Sequence, residues 1–121
     1  MNMKTGRKIS GGKYKATRKK KAFERPGQKR TVKLGDKKTK VMRGMGRTTK
    51  LVSLSQKEVN VMSNGKAKKA TIKTVLETPS NRFLARQNVL VKGAIVETDL
   101  GKVKITNRPS QEGIVQGIII N

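Results

Sequence analysis

The chain has 121 residues, of which 30 are Lys or Arg and 7 are Asp or Glu, so its formal net charge is +23. It contains no His and no Cys, which excludes disulfides, Cys/His zinc clusters and a histidine general base. This length predicts one domain, and so high a charge predicts a polyanionic partner, nucleic acid first and an acidic membrane surface second.

The N-terminal stretch MNMKTGRKISGG is basic, but no apolar segment of the kind found in secretory signals follows it. The longest apolar runs, such as 118–120, are far shorter than the roughly 20 residues that a membrane span needs. We therefore expect a soluble or peripheral cytoplasmic protein with no membrane partner.

Residues 1–38 are predicted to form a basic arm that is disordered when free. They hold 15 basic and 2 acidic residues, for a net charge of +13. The large apolar residues before position 31 are few and follow no period: Met1, Met3, Ile9, Tyr14 and Phe23. Such a segment buries too little apolar surface to offset the entropy of ordering it.

Residues 39–121 are predicted to form a β-barrel-like core. Val, Ile, Leu and Thr recur there in short runs bounded by turn residues, a pattern typical of strands. In KVKIT, for example, Val103 and Ile105 share one face and the two lysines share the other. We predict strands near 39–43, 50–54, 58–62, 66–77, 88–92, 94–99, 102–106 and 114–120.

Two hairpins and one helical turn punctuate this pattern. Asn64-Gly65 supplies the two left-handed residues of a type I′ turn, and Thr98–Gly101 predicts a second hairpin with a slightly longer loop. Around TPSNRFLARQ the strand pattern lapses, and Ser80 or Asn81 is placed to cap one helical turn ending at Arg86. Seven or eight short strands at this spacing predict a mainly β fold, a small closed or nearly closed barrel.

Catalysis is hard to build from these residues, and we expect no enzyme activity, no cofactor, no metal and no small-molecule substrate. Glu97 and Asp99 are the one pair of acids close in sequence, and on a strand they share a face. Acid–base or metal chemistry is one interpretation of the pair. The favoured one is a solvent-facing pair that balances nearby lysines at a hairpin end.

The arm fits nucleic-acid binding better, because Lys and Arg neutralise phosphates and release condensed counterions. Gly11-Gly12 lets the backbone approach a phosphate closely, and Gly44 and Gly46, beside Arg43 and Arg47, offer a second such place. The sequence shows no recognition helix and has only three aromatic residues for stacking on bases. These features favour binding to folded RNA by shape and phosphate contacts.

Several motifs resemble a known family. The chain has R-K-x-S-G-G at 7–12, followed by the basic run through AFE, then TPSN at 78–81, VKGAIVET at 91–98 and TNRPSQEGIV at 106–115. Together they resemble the eukaryotic-type small-subunit ribosomal protein number eight, in its short archaeal form, over nearly the whole chain. Two positions depart from the family pattern: Met45 stands within its glycine-rich stretch, and Gln87 replaces the second arginine of a pair.

The resemblance implies a structural, non-catalytic constituent of the small ribosomal subunit, bound to ribosomal RNA and beside neighbouring ribosomal proteins. Two alternatives stay open, a DNA-binding architectural protein and a factor that binds the ribosome transiently. Co-sedimentation with small subunits through a high-salt wash separates them.

The candidate RNA-binding residues combine arm cations, backbone at the first glycine turn and loop cations of the core. Tyr14 is interpreted as a base-stacking or protein-packing side chain, and Phe23 as an anchor onto the core edge. For Arg108, an ion pair with Glu112 is the alternative. The full set is Lys4, Arg7, Lys8, Ser10, Gly11, Gly12, Lys13, Tyr14, Lys15, Arg18, Lys19, Lys20, Lys21, Arg25, Lys29, Arg30, Arg43, Arg47, Arg82, Arg86, Lys92 and Arg108.

Overall fold

The computed structural model describes residues 6–15 and 18–120, whose strands form two β-sheets. A three-stranded sheet has the order β1-β3-β2, and five further strands close into a barrel in chain order. The predicted mainly β fold with a closed barrel is confirmed. The strands are β1 (Lys33–Leu34), β2 (Lys38–Arg43), β3 (Thr49–Gln56), β4 (Glu58–Ser63), β5 (Lys66–Glu77), β6 (Ile95–Thr98), β7 (Gly101–Ile105) and β8 (Gln116–Ile119).

The barrel closes where β4 and β8 pair in parallel, with Val61 opposite Gly117, while its other neighbouring strands pair antiparallel. Alternating aliphatic side chains fill its interior, including Val59, Val61, Ala70, Ile72, Val96, Val103 and Ile105. A Cβ added to Gly117 would overlap the Val103 side chain and the Lys104 carbonyl. Glycine therefore lets β8 approach β7 closely enough to complete the barrel.

Seven of the eight predicted strands occur within two residues of their predicted ends. The predicted strand at 88–92 is wrong, since the only pairing in the described structure there is an isolated bridge from Val89 to Lys33. Val89 and Leu90 are nonetheless buried, and Gly93, at φ +82°, then redirects the chain. This run is apolar because its side chains are buried in the core, not because it pairs as a strand.

The predicted turns are mostly confirmed. Asn64 and Gly65 have φ +47° and +74°, the left-handed pair that a type I′ turn requires. The loop between β6 and β7 has two residues instead of the longer loop predicted. Thr98 closes it tightly, because its hydroxyl donates to the Gly101 carbonyl at 2.8 Å and accepts from the Leu100 N–H at 3.3 Å.

The predicted helical turn is α1 (Phe83–Arg86), whose N-cap position is Arg82. The Oδ1 of the preceding Asn81 accepts the Phe83 N–H at 3.1 Å, so the predicted role of Asn81 at this helix start is met one residue earlier than the cap. No helix in the described ranges has the length and hydropathy of a membrane span.

The core extends into the segment predicted as the arm. Val32 is 1% exposed and belongs to the buried core cluster, and β1 pairs in parallel with the end of β3. The Leu34 N–H donates to the Asn88 carbonyl at 3.0 Å. Residues 32–34 are therefore packed onto the barrel, whereas the disorder of the free arm stays a prediction.

Candidate nucleic-acid interface

The first described residues form a tight hairpin with Ser10-Gly11-Gly12 at its exposed tip. Arg7 and Lys13 pair across it, and the Lys8 N–H donates to the carbonyl of the last glycine at 2.9 Å. The Arg7 guanidinium donates to the Gly11 carbonyl at 3.0 Å, and that glycine has φ +78°. The hairpin presents an accessible glycine backbone between two cations, an arrangement suited to an anion.

The two aromatic residues of the arm differ in surroundings. Tyr14 is 41% exposed, and the Lys8 ammonium nitrogen lies 5.8 Å from its ring centroid, within cation–π range. Phe23 is 80% exposed, so the prediction that it anchors onto the core edge is wrong. It lies in the 3₁₀ turn Ala22–Glu24, which polar contacts close instead.

Those polar contacts come from Arg18 and Glu24. The Arg18 guanidinium donates to both carboxylate oxygens of Glu24, one at 2.8 Å, and the Lys21 N–H donates to the same carboxylate at 3.0 Å. The Arg18 contact, followed by that of the Lys21 N–H, lowers the pKa of Glu24, and the Glu24 contact raises the pKa of Arg18. Arg18 is therefore already engaged by an acid.

Other arm cations have no such partner. Among the described residues, no ion pair involves them, and all are exposed. They are Arg7, Lys8, Lys13, Lys15, Lys19, Lys20, Lys21, Arg25, Lys29 and Arg30. Lys4, also predicted to contact RNA, lies outside the described residues.

The loop between β2 and β3 exposes three successive backbone N–H groups, those of Met45, Gly46 and Arg47. The Met45 and Gly46 N–H groups have no acceptor among the described residues, and Arg47 ends the 3₁₀ turn Met45–Arg47. The loop is closed by the Gly44 N–H, which donates to the Thr48 carbonyl at 2.7 Å. Gly46 and Arg47 are left-handed, with φ +69° and +59°. Successive N–H groups beside left-handed residues are a common anion-binding arrangement, and Arg43 adds charge at the loop's start.

Helix α1 carries a basic–aromatic pair. The Arg82 guanidinium carbon lies 5.7 Å from the Phe83 ring centroid, and Phe83 is 60% exposed. Arg86 is exposed in the last turn of the same helix. Phe83 was missed as a candidate contact, although an aromatic residue next to arginine in a strand-poor segment was a usable signal.

Three predicted cations from distant parts of the chain meet at one surface cavity of about 270 Å³, here called the basic cleft. Arg30 comes from the arm, Lys92 from the loop before β6, and Arg108 from the loop after β7. Leu90, Val91, Pro109 and Ser110 complete the lining. Among the described lining residues there is no acid, so the cleft combines three positive charges with an apolar wall.

Arg108 is available to this cleft because the alternative ion pair with Glu112 does not form among the described residues. The Glu112 carboxylate instead accepts a hydrogen bond from the Asn107 amide at 2.7 Å. The Arg108 carbonyl accepts from the Gln111 and Glu112 N–H groups at 3.0 and 3.1 Å, which fixes the loop backbone.

The acid pair at the β6–β7 hairpin is arranged as a balance for lysines. The Asp99 carboxylate lies 3.5 Å from the Lys73 ammonium, and Glu97 stands opposite Lys102 across the two strands. Within the described ranges, no group of three or more potential metal ligands occurs. These observations agree with the favoured solvent-facing interpretation.

Further exposed cations lie on strands β5 and β7, and none of them belongs to the arm or is among the described residues that line the basic cleft. Lys66, Lys68 and Lys69 on β5, and Lys102 and Lys104 on β7, are all exposed. The predicted cations divide instead among the arm, three loops and helix α1, and within the described structure Arg30, Lys92 and Arg108 share the basic cleft.

Comparison with known proteins gives consistent matches over most of the chain. The family model described as ribosomal protein S8e matches residues 2–120. A protein named small ribosomal subunit protein eS8 from Nanoarchaeum equitans is 42% identical over 94% of this chain and 91% of its own length. A protein of the same name from Methanococcus aeolicus is 40% identical over 95% of this chain and 92% of its own length. Another from Methanocella arvoryzae is 37% identical over 97% of this chain and 95% of its own length.

Proposed function

This chain belongs to the ribosomal protein S8e family, and on that basis we propose that it binds small-subunit ribosomal RNA through its basic arm and loop arginines. It is a ribosomal protein of the small subunit, and its place is the cytoplasmic ribosome. Family membership also agrees with the expectation that it is not an enzyme.

The basic cleft is the observation that carries the RNA-binding proposal. Cations repel one another, so a folded protein that brings Arg30, Lys92 and Arg108 to one cavity with no acid in its lining is suited to an anion. The arm adds ten further cations between residues 7 and 29. Arm and core therefore both offer positive charge to folded RNA.

Neighbouring ribosomal proteins are proposed partners for a separate, apolar surface. Val41 and Leu51 stand opposite each other across β2 and β3 and are 62% and 47% exposed. Leu51 also packs over Gly113, next to the exposed Ile114. Side chains of this kind gain more from contact with a protein surface than from contact with phosphates.

The test compares two variants that each lose five positive charges. The first, K19Q/K20Q/K21Q/R25Q/K29Q, alters the arm, and the second, K66Q/K68Q/K69Q/K102Q/K104Q, alters the barrel exterior. Affinity for small-subunit ribosomal RNA is measured across a salt series. If about ten phosphates are neutralised, the unmodified chain should give a slope of log K against log salt of roughly −7 on flexible strands and about −9 on duplex.

The arm variant should reduce the steepness of that slope by about 0.7–0.9 for each lost contact, while the barrel variant should leave it nearly unchanged. Equal losses in both variants would contradict binding through the arm. Duplex DNA of matched length serves as competitor, and preference for it would favour the architectural DNA-binding alternative.

A further inference from the structure

We propose that the basic cleft binds one unpaired nucleotide, with its phosphate among Arg30, Lys92 and Arg108 and its base against the apolar wall. The proposal rests on the proposed binding of ribosomal RNA and adds to it a discrete pocket with a defined kind of ligand. The supporting observations are the fixed backbone beside the three cations, the lack of an acid paired with them among the described residues, and the volume and lining of the cavity.

The three cations are anchored by buried neighbours, although their own side chains are exposed. Arg30 is two residues from Val32, whose carbonyl accepts the Leu90 N–H at 2.8 Å. That bond joins the arm segment to the loop carrying Lys92. Arg108 precedes the buried Pro109, whose carbonyl accepts the Ser53 N–H at 3.1 Å. The cleft is therefore assembled before a ligand arrives, which lowers the entropic cost of binding.

No group among the described residues neutralises these cations. Within the described ranges, none of the three takes part in an ion pair, and Glu112, the acid nearest to Arg108 in sequence, accepts a hydrogen bond from Asn107. Three converging positive charges without an acid form a region of strong positive potential. A phosphate, with several acceptor oxygens and a negative charge, is the ligand chemistry that matches it.

The cavity is larger and more apolar than a phosphate group needs. Its volume of about 270 Å³ equals roughly nine water molecules at about 30 Å³ each, whereas a phosphate group has only five heavy atoms. Leu90, Val91 and Pro109 supply an apolar wall, and arginine guanidinium planes stack on bases. The extra space and its lining fit the flat face of a nucleobase.

Ser110 adds a polar group at the same cavity. Neither its N–H nor its hydroxyl has a hydrogen-bond partner among the described residues. Both are therefore available to a base edge or a ribose hydroxyl. A paired base inside an A-form helix cannot offer its face to such a wall, whereas loop or bulge nucleotides can. We therefore assign the site to an unpaired nucleotide.

The experiment titrates the full chain with uridine 5′-monophosphate, inorganic phosphate and uridine, in phosphate-free buffer, and follows backbone amide NMR signals. We expect the nucleotide to shift the Val91, Lys92 and Ser110 amides saturably. It should bind at least tenfold more tightly than inorganic phosphate. Equal affinity and identical shifts for the two ligands would overturn the nucleotide pocket, as would the absence of saturation.

Two matched triple variants then localise the effect. R30Q/K92Q/R108Q should weaken nucleotide binding at least tenfold, while K68Q/K69Q/K104Q, which removes the same charge from the barrel exterior, should leave it within twofold. Equal weakening in both variants would overturn the proposal. All six side chains are exposed, so both variants should fold, and the three single substitutions in the cleft provide a second series.

Ribosomal RNA binding by the unmodified chain is measured in parallel. If the chain binds this RNA with a steep salt dependence but shows no saturable nucleotide site, the pocket fails and the proposed function stands. If the RNA does not bind at all, the proposed function fails, whatever the nucleotide titration gives.

Discussion

The Val32 carbonyl accepts a hydrogen bond from the Leu90 N–H at 2.8 Å, and both side chains are only 1% exposed. This pairing ties the start of the folded core to a loop almost sixty residues later. Apolar burial and a paired backbone hydrogen bond act together here.

The first prediction follows from that pairing. Deleting residues 1–29 should leave a folded core, because Val32 and β1 remain, whereas deleting residues 1–38 should destabilise it strongly. Within the full chain, Val32→Ala should lower the free energy of unfolding by roughly 1–3 kcal/mol, from lost burial and the cavity left behind. Denaturant unfolding monitored by circular dichroism measures all three. A stable core lacking residues 1–38 would contradict the role assigned to Val32.

The second prediction concerns the barrel seam at Gly117. Gly117→Ala should destabilise the fold by about 1–3 kcal/mol, because the new methyl group would overlap the Val103 side chain and the backbone of β7. Gly27→Ala is the control, since a Cβ there meets nothing within 4 Å. Thermal unfolding compares the two variants. Equal melting temperatures would show that the seam tolerates a side chain.

The third prediction tests the β4–β5 turn. Gly65→Val should cost about 1–2 kcal/mol or more, because Gly65 has φ +74° and a β-branched residue resists that conformation. The space beside Gly65 is open, so the cost should come from the backbone and not from a steric clash. Ser63→Val, at the neighbouring end of β4, should cost less. A Gly65 variant as stable as the parent would argue against this turn.

The fourth prediction is a pH dependence. The Arg18 contact lowers the pKa of Glu24 below its ordinary value of 4.5. The stabilisation of the 3₁₀ turn should thus be complete above that ordinary value and be lost as the pH falls through the lower folded value. A carboxyl ¹³C NMR titration reports it. Arg18→Gln should raise the Glu24 pKa toward 4.5, while Arg25→Gln should leave it nearly unchanged. An unchanged Glu24 pKa in the Arg18 variant would show that the ion pair is not the cause of the lowered value.

Much of the fold was predictable because its signals are local. Asn64-Gly65 adopts the left-handed turn that its residue types favour, and Val103 and Ile105 alternate inward as their spacing indicates. The run at 88–92 misled the prediction because burial and strand pairing both select apolar residues. The residues that it contacts, Val32 and Lys33, lie far away in sequence. The two-residue β1 carries too little pattern to be found.

The candidate site was predictable in its chemistry but not in its grouping. Charge alone identified Arg30, Lys92 and Arg108 as separate candidates, and an ion pair with Glu112 was the alternative for Arg108. The structure does not form that pair among the described residues, because the Glu112 carboxylate accepts a hydrogen bond from Asn107 instead. Phe23 was likewise placed on the core by its apolar character, while the contact of Arg18 with Glu24 closes its turn in solvent.

Local composition and periodicity were thus sufficient to predict a basic, non-catalytic chain with a small β-barrel. Charge and strand alternation are properties of neighbouring residues, so both can be recognised in a short segment. The motifs indicated the ribosomal family by resemblance. The closure of β4 on β8, the inclusion of Val32 in the core and the meeting of three cations at one cleft depended on long-range packing. Such packing is selected by the burial and hydrogen bonding of the whole chain, and no short segment contains it.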